Sequence, residues 1–227
     1  MALSELQLQD RQYSIGDIGL ALLLSSIVSL GYLATFYQLF PQYTFPIIFT
    51  IVMGLFGMAF AVGTGALQFR VSPLRVTTIF VAVVGMVLIL VFGVFSQLVT
   101  PSPQGSIFIL LPATAALLFF GFVGVQEEFL WRGIYAGMRR LFPGTKSFFI
   151  ILLIIFIGGI VFHQAVAYTL FQGTLFSTPF YFIWIGISWM LYAIMLEFTK
   201  SFSSNTLAHF SLNLVITYIN LKNLGAL

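Results

Sequence analysis

Six residues carry the chemistry open to this chain: Glu127, Glu128, Arg132, His163, His209 and Asn213. They stand out because so little else is charged. The 227 residues hold nine Lys+Arg, six Asp+Glu and two His. An ionisable group inside an apolar span costs about 2.5–3.5 kcal/mol on insertion scales, so one retained there is a functional candidate. Glu127 and Glu128 follow directly on the apolar run 119–126. Arg132 comes four residues after Glu128, one turn along the same helix face and in the favourable acid-before-base order. Glu127 lies about 100° away around the helix and is free to point elsewhere. One carboxylate is thus charge-paired and the other is available for chemistry. His209 and Asn213 are also four apart and share a face. The chain has no cysteine, so a thiol nucleophile, a disulfide and a thiolate metal site are excluded. No serine sits in a G-x-S-x-G elbow.

Three uses of these atoms are open. Glu127, helped by His163, could take a proton from an attacking water. His209 and Asn213 could then donate to a carbonyl oxygen as negative charge develops. Alternatively, Glu127, His163 and His209 match a catalytic zinc set in type, although the spacing is not H-E-x-x-H. The third use is a proton relay in a transporter. The remaining acids have ordinary explanations. Glu5, Asp10 and Asp17 lie at or before the first apolar run, and Glu197 reads as an interfacial pair with Lys200.

The elements that must hold these residues are membrane spans. Hydrophobic residues make up 60% of the chain and charged residues 7%, against roughly a quarter charged in a soluble domain. So few polar groups cannot cover a globule in water. A soluble enzyme, a disordered chain and a basic nucleic-acid binder are excluded. A crossing helix needs about 20 apolar residues, and seven runs qualify: 18–40, 45–69, 77–99, 107–125, 148–167, 180–198 and 205–219. The expected fold is all-α, one membrane domain over 1–227. Peripheral spans one to three occupy 18–106, and spans four to seven occupy 107–220. Nothing in 111–141 forces a break, so the fourth helix extends through both glutamates to about Phe142. Gly133 and Gly137 let another helix approach it closely. At 1.5 Å per residue, Glu127 and His163 lie about 22 and 24 Å from the turn joining their helices. The two residues are therefore level with each other. The histidines and Glu127 then converge in one layer if that hairpin protrudes into the cytoplasm.

The motifs resemble a known family. Glu127-Glu128-x-x-x-Arg132 reads as E-E-x-x-x-R, His163 follows about 35 residues later, and His209-x-x-x-Asn213 reads as H-x-x-x-N. In this order on hydrophobic spans they are similar to the CPBP intramembrane proteases. That group comprises the CAAX prenyl endopeptidases of the Ras-converting type and the bacteriocin-processing and immunity (Abi) proteins. The resemblance covers about 111–219 and implies that spans four to seven, 107–220, are a catalytic core around an intramembrane cavity facing the cytoplasm. It implies hydrolysis of a membrane-associated or lipidated peptide, with Glu127 and His163 activating water. It further implies His209 and Asn213 as oxyanion donors, Glu128 and Arg132 as supports, and no metal or other cofactor. A zinc ion on Glu127, His163 and His209 is the alternative. A non-catalytic immunity or scaffold protein of the same family, and a proton-coupled transporter, are the other functional readings. The implied partners are the lipid bilayer and the peptide, with no nucleic acid. One departure is visible: the family's F-x-x-x-H motif has Gly159 at its first position here, with Phe162 beside the histidine instead.

Basic residues orient the spans. With the amino terminus in the cytoplasm, eight of the nine Lys and Arg fall on that side and only Lys222 on the other, as the positive-inside rule requires. Reporters fused at Met1 and Leu227 should therefore mark opposite compartments. The same compartment at both ends would mean an even number of spans.

Overall fold

The computed structural model describes residues 12–36, 40–68, 113–171, 179–223 and 225. These form six helices: α1 (Asp17–Phe36), α2 (Phe40–Gly63), α3 (Ala113–Leu141), α4 (Thr145–Phe171), α5 (Pro179–Thr199) and α6 (Phe202–Asn223). The fold is mostly helical, as composition demands. The run 77–99 lies outside the described residues. A two-residue parallel pair, β1 (Tyr13–Ser14) and β2 (Leu67–Gln68), departs from the all-α expectation. Ser14 also bridges to Ser201, so this short ribbon ties the start of α1 to the end of α2 and the α5–α6 turn.

Local sequence explains the helix ends. The α3 helix runs through both glutamates and stops before Pro143, which disfavours helix in the residue before it. Arg139 and Arg140 occupy its last turn, where cations meet the negative end of the helix dipole. Arg139 also donates to the carbonyls of Phe142 and Gly144, closing the α3–α4 turn. Pro179 opens α5, where a missing N–H costs nothing. The α5–α6 connection is abrupt: Lys200 adopts a left-handed φ of 53°. Its ammonium lies 3.3 Å from Glu197 and 4.8 Å from the Tyr13 ring centroid, which holds that conformation in place.

The hub is α3, which packs against all five other helices, most extensively against α2 and α6, while α4 packs mainly on α5. Glycine makes the α2–α3 approach possible. A Cβ on Gly133 would collide with the Gly57 carbonyl, one on Gly57 with the Leu130 backbone, and one on Gly137 with the Phe60 ring. The close approach expected from Gly133 and Gly137 is therefore made, and α2 is the partner.

Beside a hydrophobic core, several polar groups are buried and many large apolar side chains are exposed. Ser26, Gln126, Glu128, Arg132, Asn205 and Thr206 are fully buried. Val28, Phe149 and Val161 are 71%, 64% and 60% exposed, and Leu24, Phe56, Ile150, Leu153 and Ile183 are also exposed. Two described stretches, Asp17–Ala34 in α1 and Thr145–His163 in α4, are long and apolar enough to cross a membrane. Ile47–Gly63 and Ile183–Thr199 are shorter apolar helical stretches.

The Gly133–Gly57 contact is backbone against backbone, so it cannot yield by rotating a side chain. Gly133→Ala should cost about 1–3 kcal/mol through overpacking, read as a lower melting temperature in detergent. Gly63→Ala, where nothing lies within 4 Å of an added Cβ, should change stability by less than about 0.5 kcal/mol.

Candidate active site

The 100° step between adjacent helical residues sends the two glutamates of α3 in different directions. Glu128 turns into the core. Its Oε2 accepts from Arg132 Nε at 3.1 Å, and both side chains are fully buried. Arg132 Nη1 donates to the Trp189 carbonyl at 2.8 Å. The guanidinium lies over the rings of Trp189 and Tyr192, at 4.9 and 5.7 Å. Sequence alone put Arg132 on the cytoplasmic side, among the loop cations. The i,i+4 spacing also placed it on the helix one turn beyond Glu128; there the structure finds it, enclosed by Trp189 and Tyr192 of α5.

Glu128 has a second partner that spacing could not reveal. Its Oε1 accepts from His209 Nδ1 at 2.9 Å. A carboxylate oxygen only accepts, so Nδ1 carries the proton in the neutral ring and Nε2 presents a lone pair. That Nε2 stands 3.7 Å from Glu127 Oε2. On the other side His163 Nδ1 faces the Gly159 carbonyl at 3.0 Å, which assigns its tautomer in the same way. His163 Nε2 then stands 3.8 Å from Glu127 Oε1. Glu127 is thus flanked by both histidines of the chain. Separations of 3.7–3.8 Å are too long for direct hydrogen bonds and are the kind of gap that one water bridges. Glu127 and His163 keep partial exposure, 13% and 24%, whereas Glu128 has none. The reachable carboxylate is Glu127.

Asn213 lies one turn beyond His209 and donates from Nδ2 to the Phe120 carbonyl at 2.9 Å. Gly124 makes room for this pair: a Cβ there would stand 2.5 Å from Asn213 Nδ2 and 3.1 Å from His209 Cδ2. The resemblance cast His209 and Asn213 as oxyanion donors. In the structure, the Nδ1 proton of His209 goes to Glu128 and one N–H of Asn213 goes to α3.

The departure at position 159 has a packing reason. The Trp189 indole fills the space that a side chain at 159 would take. Its ring centroid lies 5.4 Å from His163, 5.9 Å from His209 and 5.3 Å from Trp131. Trp189 therefore sets the spacing of the two imidazoles, and sequence reading did not single it out. The adjacent glycines Gly158 and Gly159, facing indoles, were the available signal.

Glu197 is also more than the interfacial pair with Lys200 that its position suggested. It accepts from Tyr13 at 2.7 Å, Tyr135 at 2.9 Å and Arg139 at 3.1 Å, and lies 3.3 Å from Lys200. Burial, and then the charge of Glu197, push the Tyr13 phenol above its ordinary range, so it acts as a neutral donor. This cluster anchors β1 to α3 and α5.

Among the described residues no group of three ligating side chains is placed to hold a metal ion. Comparison with family models, curated proteins and solved structures finds no match to this chain.

The two glutamates differ in what their removal strands. Glu128→Gln leaves Arg132 charged and enclosed, which should cost about 3–5 kcal/mol. Glu127→Gln breaks no ion pair with an arginine or lysine and should change stability by under about 1 kcal/mol. Melting temperatures of the two variants in detergent compare these losses directly, and the reverse order would exchange the roles.

Proposed function

We propose that this chain is an intramembrane endopeptidase that hydrolyses a membrane-associated peptide by glutamate- and histidine-activated water. In this reading it is a multi-pass membrane protein of seven spans with its amino terminus in the cytoplasm. It stands as a divergent relative of the CPBP proteases. The observation that carries the reading is the convergence on Glu127. An accessible carboxylate faces two imidazole Nε2 atoms at 3.8 and 3.7 Å. Both rings are oriented by acceptors behind them. Three acceptors directed at one small space suit a water molecule, whose two O–H groups need acceptors while its oxygen lone pair is left to attack.

The steps follow from the chemistry. The water oxygen bonds to the peptide carbonyl carbon, the C=O π pair moves onto the carbonyl oxygen, and a water proton passes to Glu127. Collapse restores the carbonyl and breaks the C–N bond. The proton held by Glu127 passes to the leaving amine, giving an acid and an amine from amide and water. Glu128 orients His209 through one oxygen and pairs with Arg132 through the other. The substrate class follows from the resemblance: a lipidated carboxy-terminal peptide of the CAAX type. The exposed apolar residues of α1, α2 and α4 support a membrane setting, where such a substrate would be met.

Purified protein in detergent, given quenched peptides with and without a prenyl group, should cleave at least one of them. Glu127→Gln keeps the shape and removes the proton acceptor, so turnover should fall about 10²–10⁴-fold. Chelator should leave the rate unchanged, because no H-E-x-x-H spacing accompanies the histidines. Stoichiometric zinc required for turnover would overturn the water-only mechanism. Full turnover by Glu127→Gln would remove Glu127 as the base, whereas a wild-type protein that cleaves no peptide would leave the scaffold and transporter readings in its place.

A further inference from the structure

Hydrolysis by activated water needs a donor for the oxygen that becomes negative. The groups facing Glu127 are poor in donors. The carboxylate only accepts, and each histidine turns its Nδ1 away, to Gly159 or Glu128. One Asn213 N–H is held by the Phe120 carbonyl. Four buried donor groups lack a hydrogen-bond partner among the described residues: Trp131 Nε1, Arg132 Nη2, Arg139 Nε and the Tyr192 hydroxyl. Arg139 belongs to the Glu197 cluster. The Trp131 ring packs on Phe162 and Trp189 rather than on an imidazole. Arg132 is committed to Glu128 and the Trp189 carbonyl.

Tyr192 is placed differently. Its ring stacks on the His209 imidazole, with centroids 4.9 Å apart and planes 20° from parallel. Its carbonyl accepts from Asn205 Nδ2, which ties α5 to α6 at this level. A buried hydroxyl without a partner costs about 1–3 kcal/mol. Keeping one on a ring stacked against His209 is reasonable if its partner arises only during the reaction.

Resting on the hydrolase reading, we propose that the Tyr192 hydroxyl is a catalytic donor. It hydrogen-bonds the carbonyl oxygen as that oxygen becomes an oxyanion, and it keeps its own proton throughout. Stacking on His209 holds the phenol next to the ring that Glu128 orients. The donor and the water-activating group are then positioned by one carboxylate.

Tyr192→Phe tests this cleanly, because it keeps the ring and its stacking and removes only the O–H. On the peptide cleaved best by the wild-type protein in detergent, kcat should fall about 10²–10³-fold, as for loss of one oxyanion donor. KM should stay within about twofold. The melting temperature should hold or rise, since an unpartnered hydroxyl has gone. Tyr192→Leu removes the ring as well and should lower the melting temperature. A Tyr192→Phe protein with wild-type kcat overturns the proposal, and so does a kcat loss that appears only with a matching drop in melting temperature. Should Glu127→Gln be inactive while Tyr192→Phe is fully active, only the tyrosine's role fails. Should the wild-type protein cleave no peptide, the hydrolase reading falls and this role with it.

Discussion

The buried carboxylate of Glu128 organises the functional layer. It has no contact with solvent, yet it holds an arginine of its own helix through one oxygen and a histidine of α6 through the other. In a low-dielectric interior neither the carboxylate nor the guanidinium is tolerable alone. Each justifies the other, and the remaining Arg132 donor reaches the backbone of α5. Three helices are thereby fixed relative to one another by a single anion. The orientation of His209, and through it the direction of a lone pair toward Glu127, is a consequence of that pairing.

Close approach is the second condition. The hydrogen bonds of 2.8–2.9 Å that join α3 to α5 and α6 need the helices close together. Gly57 and Gly133 supply this between α2 and α3, Gly124 between α3 and α6, and Gly159 between α4 and the Trp189 indole. The glycines lie on the inward faces, while the outward faces carry Leu, Ile, Val and Phe. In the membrane setting proposed for this chain, the solvent offers no hydrophobic force to press helices together, and tight packing and buried polar contacts would supply association. The inward polar layer and the outward apolar surface express one constraint.

The same logic appears at Glu197. Two phenols, an arginine and a lysine converge on it from β1, α3 and the α5–α6 turn. It makes the amino-terminal ribbon part of the helical assembly. The left-handed Lys200 is retained because its side chain completes that cluster.

Sequence determined what is local or periodic. Long apolar runs gave helices near their expected bounds, and Pro143 ended α3 after both glutamates. The i,i+4 rule paired Glu128 with Arg132, and the 100° step left Glu127 facing elsewhere. The scarcity of charge picked out the few residues worth following. What lay between helices was not legible, because no periodicity encodes which face meets which across 80 residues. The Glu128–His209 bond, the enclosure of Arg132 by Trp189 and Tyr192, and the attachment of Asn213 to Phe120 depend on how α3, α5 and α6 rotate about their axes. Glycine contacts and the burial of a few polar groups set those rotations, and only tertiary structure decides them.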